Sequence, residues 1–250
     1  MIHLRASAKL TWFLEVTGRR ENGLHELRSE MCTLDLADEL LVDDAGDYLR
    51  LTGDTEGVDR DDTNLVTRAL RVVGRTAGVT LTKHIPAGGG LGGGSADAAA
   101  ILRWAGGVPA ETALWLGGDV PFCQVGGCAL VEGVGEHVHP LDFHERAVTL
   151  LLTGLRVNTA ACYRAYDQLV LEGHRGRGRN ELTDAAVLVE PRLGEVLDWA
   201  RATLNQEVIL AGSGSTLFVE GHVGSESAWT VPGPLGPVRF RHVVTTPAEG

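Results

Sequence analysis

Residues 86–100 read Pro-Ala-Gly-Gly-Gly-Leu-Gly-Gly-Gly-Ser-Ala-Asp-Ala-Ala-Ala, with glycine at six of the seven positions from Gly88 to Gly94. Glycine turns the backbone through φ > 0 and leaves no side chain to hold a ligand away. Successive backbone N–H groups then form a concavity for anions. A mixed apolar run, 79–85, leads in and reads as a strand. An alanine-rich run, 98–105, leads out and reads as a helix. The start of that helix adds unpaired N–H groups and the positive end of its dipole. Ser95 and Asp97 are its expected caps. Strand, glycine loop and helix N-terminus together read as a phosphate cradle, against the plainer reading of a flexible surface loop.

The loop is not a Walker A motif, because no Gly-Lys-Ser/Thr follows the glycines. Gly88-x-Gly90-x-x-Gly93 fits the dinucleotide fingerprint in form only. The acid expected about 20 residues on, at a strand end, has no good match. Three other places offer chemistry. Lys9 interrupts the alternation of Ala8, Leu10, Trp12 and Leu14; it either faces solvent or meets an anion. Arg19, Arg20, His25 and Glu26 flank Asn22-Gly23, a hairpin turn signal, and either read a polar ligand or are turn chemistry. Asp119 follows Gly117-Gly118 and precedes an apolar run read as a strand; it is a turn residue or a ligand-facing acid.

The elements that must position these groups alternate in type. Strands are expected over 2–16, 32–36, 39–42, 48–51 and 79–85. A helix capped by Asp61, Asp62 or Thr63 carries Leu65, Val66, Ala69, Leu70, Val72 and Val73 and ends at Gly78. A short helix over 110–116 follows the alanine-rich one. Strands 128–132, 136–141 and 147–152 come next, then a helix capped by Asn158-Thr159. A flexible basic loop, 173–179, precedes a helix opened by Pro191. Strands 208–211 and 216–219 flank the tight turn Gly212-Ser213-Gly214-Ser215. A Pro/Gly loop, 232–237, precedes a last strand, 238–245. The class is α+β, with a boundary placed at 144 between domains 1–144 and 145–250.

Composition narrows the partners. The chain has 250 residues, 44% apolar content and a net charge of −11, which argues against nucleic acid. Eleven acids against Arg50 and Arg60 between positions 35 and 62 read as a solvated edge. The least interrupted apolar stretch, 147–155, is too short for a bilayer, and Lys9 and Glu15 break any signal core. Cys32, Cys123, Cys128 and Cys162 form no C-x-x-C pair and read as reduced cytosolic thiols.

Three segments together resemble the GHMP kinase superfamily: Ala8-Lys9-Leu10, Pro86–Ala98 and Gly212-Ser213-Gly214-Ser215-Thr216. The resemblance narrows to the kinases of 4-diphosphocytidyl-2-C-methyl-D-erythritol. The narrowing residues are Thr17-Gly18-Arg19-Arg20 with Gly23-x-His25-Glu26-Leu27, Thr63-Asn64-Leu65-Val66, Gly118-Asp119-Val120-Pro121-Phe122 and Asn180-Glu181-Leu182. It implies a two-domain fold: an N-terminal β/α domain like ribosomal protein S5 and a C-terminal ferredoxin-like α/β sandwich.

It also implies transfer of the ATP γ-phosphoryl group to the substrate's 2-hydroxyl, with Asp119 and Lys9 as the catalytic pair and Lys9 keeping Asp119 ionised. The implied ATP site is Pro86, Ala87, Gly88, Gly89, Gly90, Leu91, Gly92, Gly93, Gly94, Ser95 and Ala96, with Asn64 and Lys83 near the adenine. The implied acceptor site is Thr11, His25, Asp119, Gly212 and Ser213, with His25 reading the cytidine base. Ser95 is the implied Mg²⁺ ligand. The implied protein is cytoplasmic, a monomer or weak homodimer, with a small-molecule substrate and no nucleic acid or membrane partner.

Leu24 stands where the family commonly has an aromatic that stacks on cytosine, and Thr11 where it has asparagine. Trp12, Tyr163 and Tyr166 are the expected substitutes for that stack. The C-terminal half is short for the family. Kinases of another small alcohol and an inactive nucleotide-binding homologue are the competing readings.

Overall fold

The computed structural model describes residues 1–176 and 178–248. Arg177, within the basic loop expected over 173–179, lies outside the described residues.

Strand β1 (Ile2–Arg19) turns at Asn22-Gly23 into β2 (His25–Asp43). Gly23 takes φ +87°, and Leu24 N–H donates to Asn22 Oδ1 at 3.1 Å, as the turn signal requires. Strand β3 (Tyr48–Gly53), helix α1 (Leu65–Val72), strand β4 (Gly78–Lys83) and helices α2 (Gly93–Trp104), α3 (Ala110–Leu114) and α4 (Val120–Val125) follow. Then come β5 (Cys128–Gly133), β6 (His137–Pro140), β7 (Ala147–Leu152), α5 (Thr159–Leu171), α6 (Thr183–Val189) and α7 (Pro191–Leu204). Strands β8 (Ile209–Leu210), β9 (Leu217–Glu220), β10 (Ala228–Gly233) and β11 (Gly236–Thr246) complete the chain.

All strands join in one network of order β3-β4-β2-β11-β7-β9-β8. The hub is β2. It pairs along its length with β1, and by turns with β5, β11 and β4. Among the strands of the described residues, β3 and β4 are the pair that runs parallel. Helices α1, α2 and α4 close one apolar core around Leu81, Ile101 and Phe122. Helices α5, α6 and α7 close another around Leu193, Leu217 and Phe240. A third cluster, with Leu10, Leu91, Ile209 and Phe218, lies beneath the glycine loop. Among the described residues no helix is long and apolar enough to cross a membrane.

Several expectations need correction. The cap of α1 is Asn64, whose Oδ1 accepts from Val66 N–H at 2.9 Å; Asp61 instead closes a turn onto Thr63. A helix end at Gly78 is also wrong, because Gly74 (φ +63°) follows the helix and Gly78 opens β4. Helix α2 begins at Gly93, with Gly92 at φ +69° in the cap position, so Ser95 and Asp97 lie inside it and cap nothing. Val120–Val125 is a helix, since Pro121 in its first turn suits a helix start. The loop expected over 232–237 is a two-residue turn, 234–235, and residues 228–233 form β10 against β11. Its partner is supplied by the chain that follows, which local alternation does not reveal.

One buried side chain shapes the turn after β8. Asn180 (2% exposed) donates through Nδ2 to Leu210 O at 2.8 Å and Gly212 O at 2.7 Å, and accepts from Leu182 N–H at 2.9 Å. Asn180→Ala strands all three groups. The expected loss is about 2–3 kcal/mol of stability, measured by urea unfolding with unchanged slope.

Candidate active site

Lys9 is 4% exposed, within a stretch of β1 that is covered on both faces, and does not face solvent. A bulge in the β1–β2 register falls between Ser7 and Lys9. Its stem lies against Gly92, where an added Cβ would sit 2.7 Å from Lys9 Cγ. Its ammonium donates to Thr11 Oγ1 at 3.0 Å and reaches Asp119 Oδ2 at 3.3 Å. Asp119 is held by close backbone approach. An added Cβ would stand 3.2 Å from Val134 O at Gly118, and 2.1 Å from Gly118 O at Gly135.

Two cavities meet at Asp119. One, of about 380 Å³, is lined by Lys9, Asn64, Lys83, the glycine loop and Asp119. The other, of about 660 Å³, is lined by Arg19, Leu24, His25, Asp119 and Tyr163. Ser95, Asp119 and Tyr163 belong to both walls.

The glycine loop is fixed from both sides. Lys9 N–H donates to Leu91 O at 3.0 Å, and Thr216 N–H to Gly89 O at 3.0 Å. Gly90 (φ +80°) faces Ala211 O, which an added Cβ would meet at 2.1 Å. Pro86 to Gly90, Gly92 to Gly94 and Ser95 line the first cavity. Leu91 and Ala96 do not; their side chains are fully buried in core clusters, because they anchor the loop to the fold.

Beneath the loop lies a buried ion triad. The Lys83 ammonium meets Asp38 and, at 2.6 Å, Asp97. Asp38 Oδ1 also accepts from His84 N–H at 2.5 Å and Ile85 N–H at 2.8 Å, the residues that lead into Pro86. The triad therefore clamps the chain entering the loop to the helix leaving it. Burial alone would lower the Lys83 pKa, but the two carboxylates outweigh it and raise it. Burial pushes the Asp97 carboxyl up to about 7, against the pull of Lys83. Lys83 and Asn64 line the cavity, but both side chains are committed. Asn64 caps α1 and donates to Asp59 O at 2.7 Å. Nothing local in the sequence joins Asp38 to Asp97, since their meeting depends on β2 and α2 both packing against Lys83 at the end of β4.

In the second cavity His25 Nε2 sits 2.6 Å from Asp167 Oδ1, and its ring stacks on Tyr163 with centroids 4.8 Å apart. Burial, then the nearby Asp119, raises the Tyr163 pKa. Of the three candidates for the missing aromatic, only Tyr163 lines this cavity. Trp12 is in the core against Phe218, and Tyr166 donates to Glu181 Oε2 at 3.1 Å. Leu24 is half exposed on the cavity's rim. Gly212 closes on Lys9 and Thr11, an added Cβ lying 3.1 Å from Lys9 Nζ, while Ser213 Oγ meets Thr159 Oγ1 at 2.9 Å.

The model of the GHMP kinases N terminal domain matches residues 64–127. A 4-diphosphocytidyl-2-C-methyl-D-erythritol kinase of Paracoccus denitrificans is 36% identical over 231 residues, 85% of this chain and 84% of its own. The chain belongs to this kinase family. A second member, from Novosphingobium aromaticivorans, is 36% identical over 233 residues, covering 85% of this chain and 82% of its own. The crystal structure of a 4-(cytidine 5'-diphospho)-2C-methyl-D-erythritol kinase superposes over the whole of both chains with a TM-score of 0.70 at 30% identity. The α+β GHMP kinase fold and the kinase class are those expected above.

Asp38→Ala removes the acceptor for three donors at the loop's entrance. The expected cost is about 3–5 kcal/mol, the range for breaking a buried pair, read as a fall in the urea midpoint.

Proposed function

We propose that this kinase transfers the γ-phosphoryl group of ATP to the 2-hydroxyl of 4-diphosphocytidyl-2-C-methyl-D-erythritol, in isoprenoid precursor synthesis by the non-mevalonate route. The observation that carries this is Asp119, paired with Lys9 and set in the wall shared by two cavities. A donor on one side and an alcohol on the other come into line at this carboxylate.

The loop N–H groups and the start of α2 cradle the phosphates. Transfer through a loose transition state needs positioning and charge stabilisation more than covalent help. Asp119 accepts the hydroxyl proton. Lys9 offsets negative charge on the transferring group. His25, held by Asp167 and stacked on Tyr163, receives the cytidine end, so Tyr163 replaces the aromatic absent at Leu24.

Among the described residues no group of three or more His, Cys, Asp or Glu could hold a metal. Mg²⁺ takes most of its ligands from bound phosphates and water and needs few from the protein. Ser95 would supply a hydroxyl at the junction, and the ion would neutralise phosphate charge. Domains 1–144 and 145–250 remain our division, supported by one core drawn from residues before 139 and another drawn mostly from residues after 150. A cytoplasmic monomer or weak homodimer acting on a small molecule completes the reading.

Asp119→Asn is expected to lower kcat by roughly 10²–10⁴-fold in a coupled ADP-release assay. Near-normal turnover removes Asp119 from the proton-accepting role. An alcohol lacking the cytidine diphosphate portion is expected to lose at least about tenfold in kcat/KM, since base stacking alone contributes ~1–3 kcal/mol. Equal use of both alcohols points to a kinase of another substrate.

A further inference from the structure

The first cavity must neutralise a polyphosphate, yet Lys83 in its wall is committed to structure and Lys9 stands at the transfer end, beside Asp119. Lys9 faces Asp119, and Lys83 faces two aspartates. The loop itself lacks the lysine that a Walker A motif would bring. Among the described residues another cation, Arg156, lines the neighbouring cavity, which shares Pro86, Ala87 and Gly89 of the loop with the first. Arg156, between β7 and α5, runs its stem along Gly88 of the loop, where an added Cβ would lie 3.7 Å from Arg156 Cγ. Its guanidinium rests on the Cα of Gly57, where an added Cβ would stand 2.0 Å from Nη1. Gly57 itself lines the first cavity. Arg156 thus spans from the phosphate loop to the opposite lip.

Its carboxylate partner is Glu56, at 3.4 Å, with side chains 48% and 89% exposed. Such a pair in water holds weakly and is readily exchanged. A triphosphate offers the same guanidinium a denser, bidentate anion.

We propose that Arg156 is a donor-binding residue: on nucleotide entry its guanidinium leaves Glu56 and closes onto the polyphosphate at the Gly88 end of the loop. A cation from the second half of the chain thereby completes a cradle built by the first. This rests on reading the first cavity as the ATP site.

The test compares the affinities of ATP and adenosine by calorimetry for the full chain and for Arg156→Ala, Arg156→Lys and Glu56→Gln. Arg156→Ala is expected to weaken ATP by about 10–100-fold while leaving adenosine unchanged. Arg156→Lys should fall between, because the charge stays and the fork is lost. Glu56→Gln should bind ATP as tightly as the native chain or tighter. The proposal is overturned if Arg156→Ala binds ATP like the native chain, if it loses adenosine equally, or if Glu56→Gln weakens ATP as much. The last two results mark Arg156 as a latch on the 54–59 loop. Failure of the native chain to bind ATP at all would instead sink the reading of the cavity.

Discussion

Two lysine ammoniums are buried in the wall of one cavity, and neither could be there without carboxylates supplied by distant elements. Desolvating a charge costs several kcal/mol unless partners replace the water. Lys83 meets this condition with Asp38 from β2 and Asp97 from α2, and the same contacts clamp the glycine loop at both ends. Lys9 meets it with Asp119. The first arrangement fixes the cradle; the second is left at the cavity junction, where Asp119 keeps 32% of its side chain exposed. One lysine is spent on structure and the other is available to chemistry.

On the proposed reading, the two cavities divide recognition from transfer. The phosphate side presents the glycine-rich backbone of residues 88–94, and its specificity for position comes from the loop's rigidity. The acceptor side is built of side chains: His25, Tyr163 and Asp167 from the β2 start and α5. Helix α5 belongs to the second half of the chain, as does the Gly212 turn held by Asn180. Residues of both halves therefore line the two cavities, and in the proposed reaction an error in either half would misplace the hydroxyl relative to the phosphoryl group.

What could be read in the sequence was local. The glycine run, the Asn22-Gly23 turn, the Asn158 cap and the Pro191 helix start each carry their conformation in a few neighbouring residues, and the structure has all four. Lys9, His25 and Asp119 were singled out by type and by resemblance, and the last two share a wall. What escaped depends on contacts between remote segments. Asp38 lies in an acidic stretch that reads as solvated edge, yet it is fully buried, because the chain at and just after the end of β4 covers it with Lys83, His84 and Ile85. Leu91 and Ala96 sit inside the loop motif but point into cores, since a loop that must not move needs anchors. Tyr163 became the stacking partner only once α5 packed against the β1–β2 hairpin.

The central claim is that donor and acceptor meet at the Lys9–Asp119 wall and that the acceptor is one defined hydroxyl. The direct measurement is phosphorus NMR of the full chain with Mg²⁺, ATP and the cytidine-linked methylerythritol. The account predicts ADP and one new phosphomonoester, assigned to the 2-position by its coupling, in equal amounts. ADP accompanied by free phosphate, or a monoester at another hydroxyl, would contradict it.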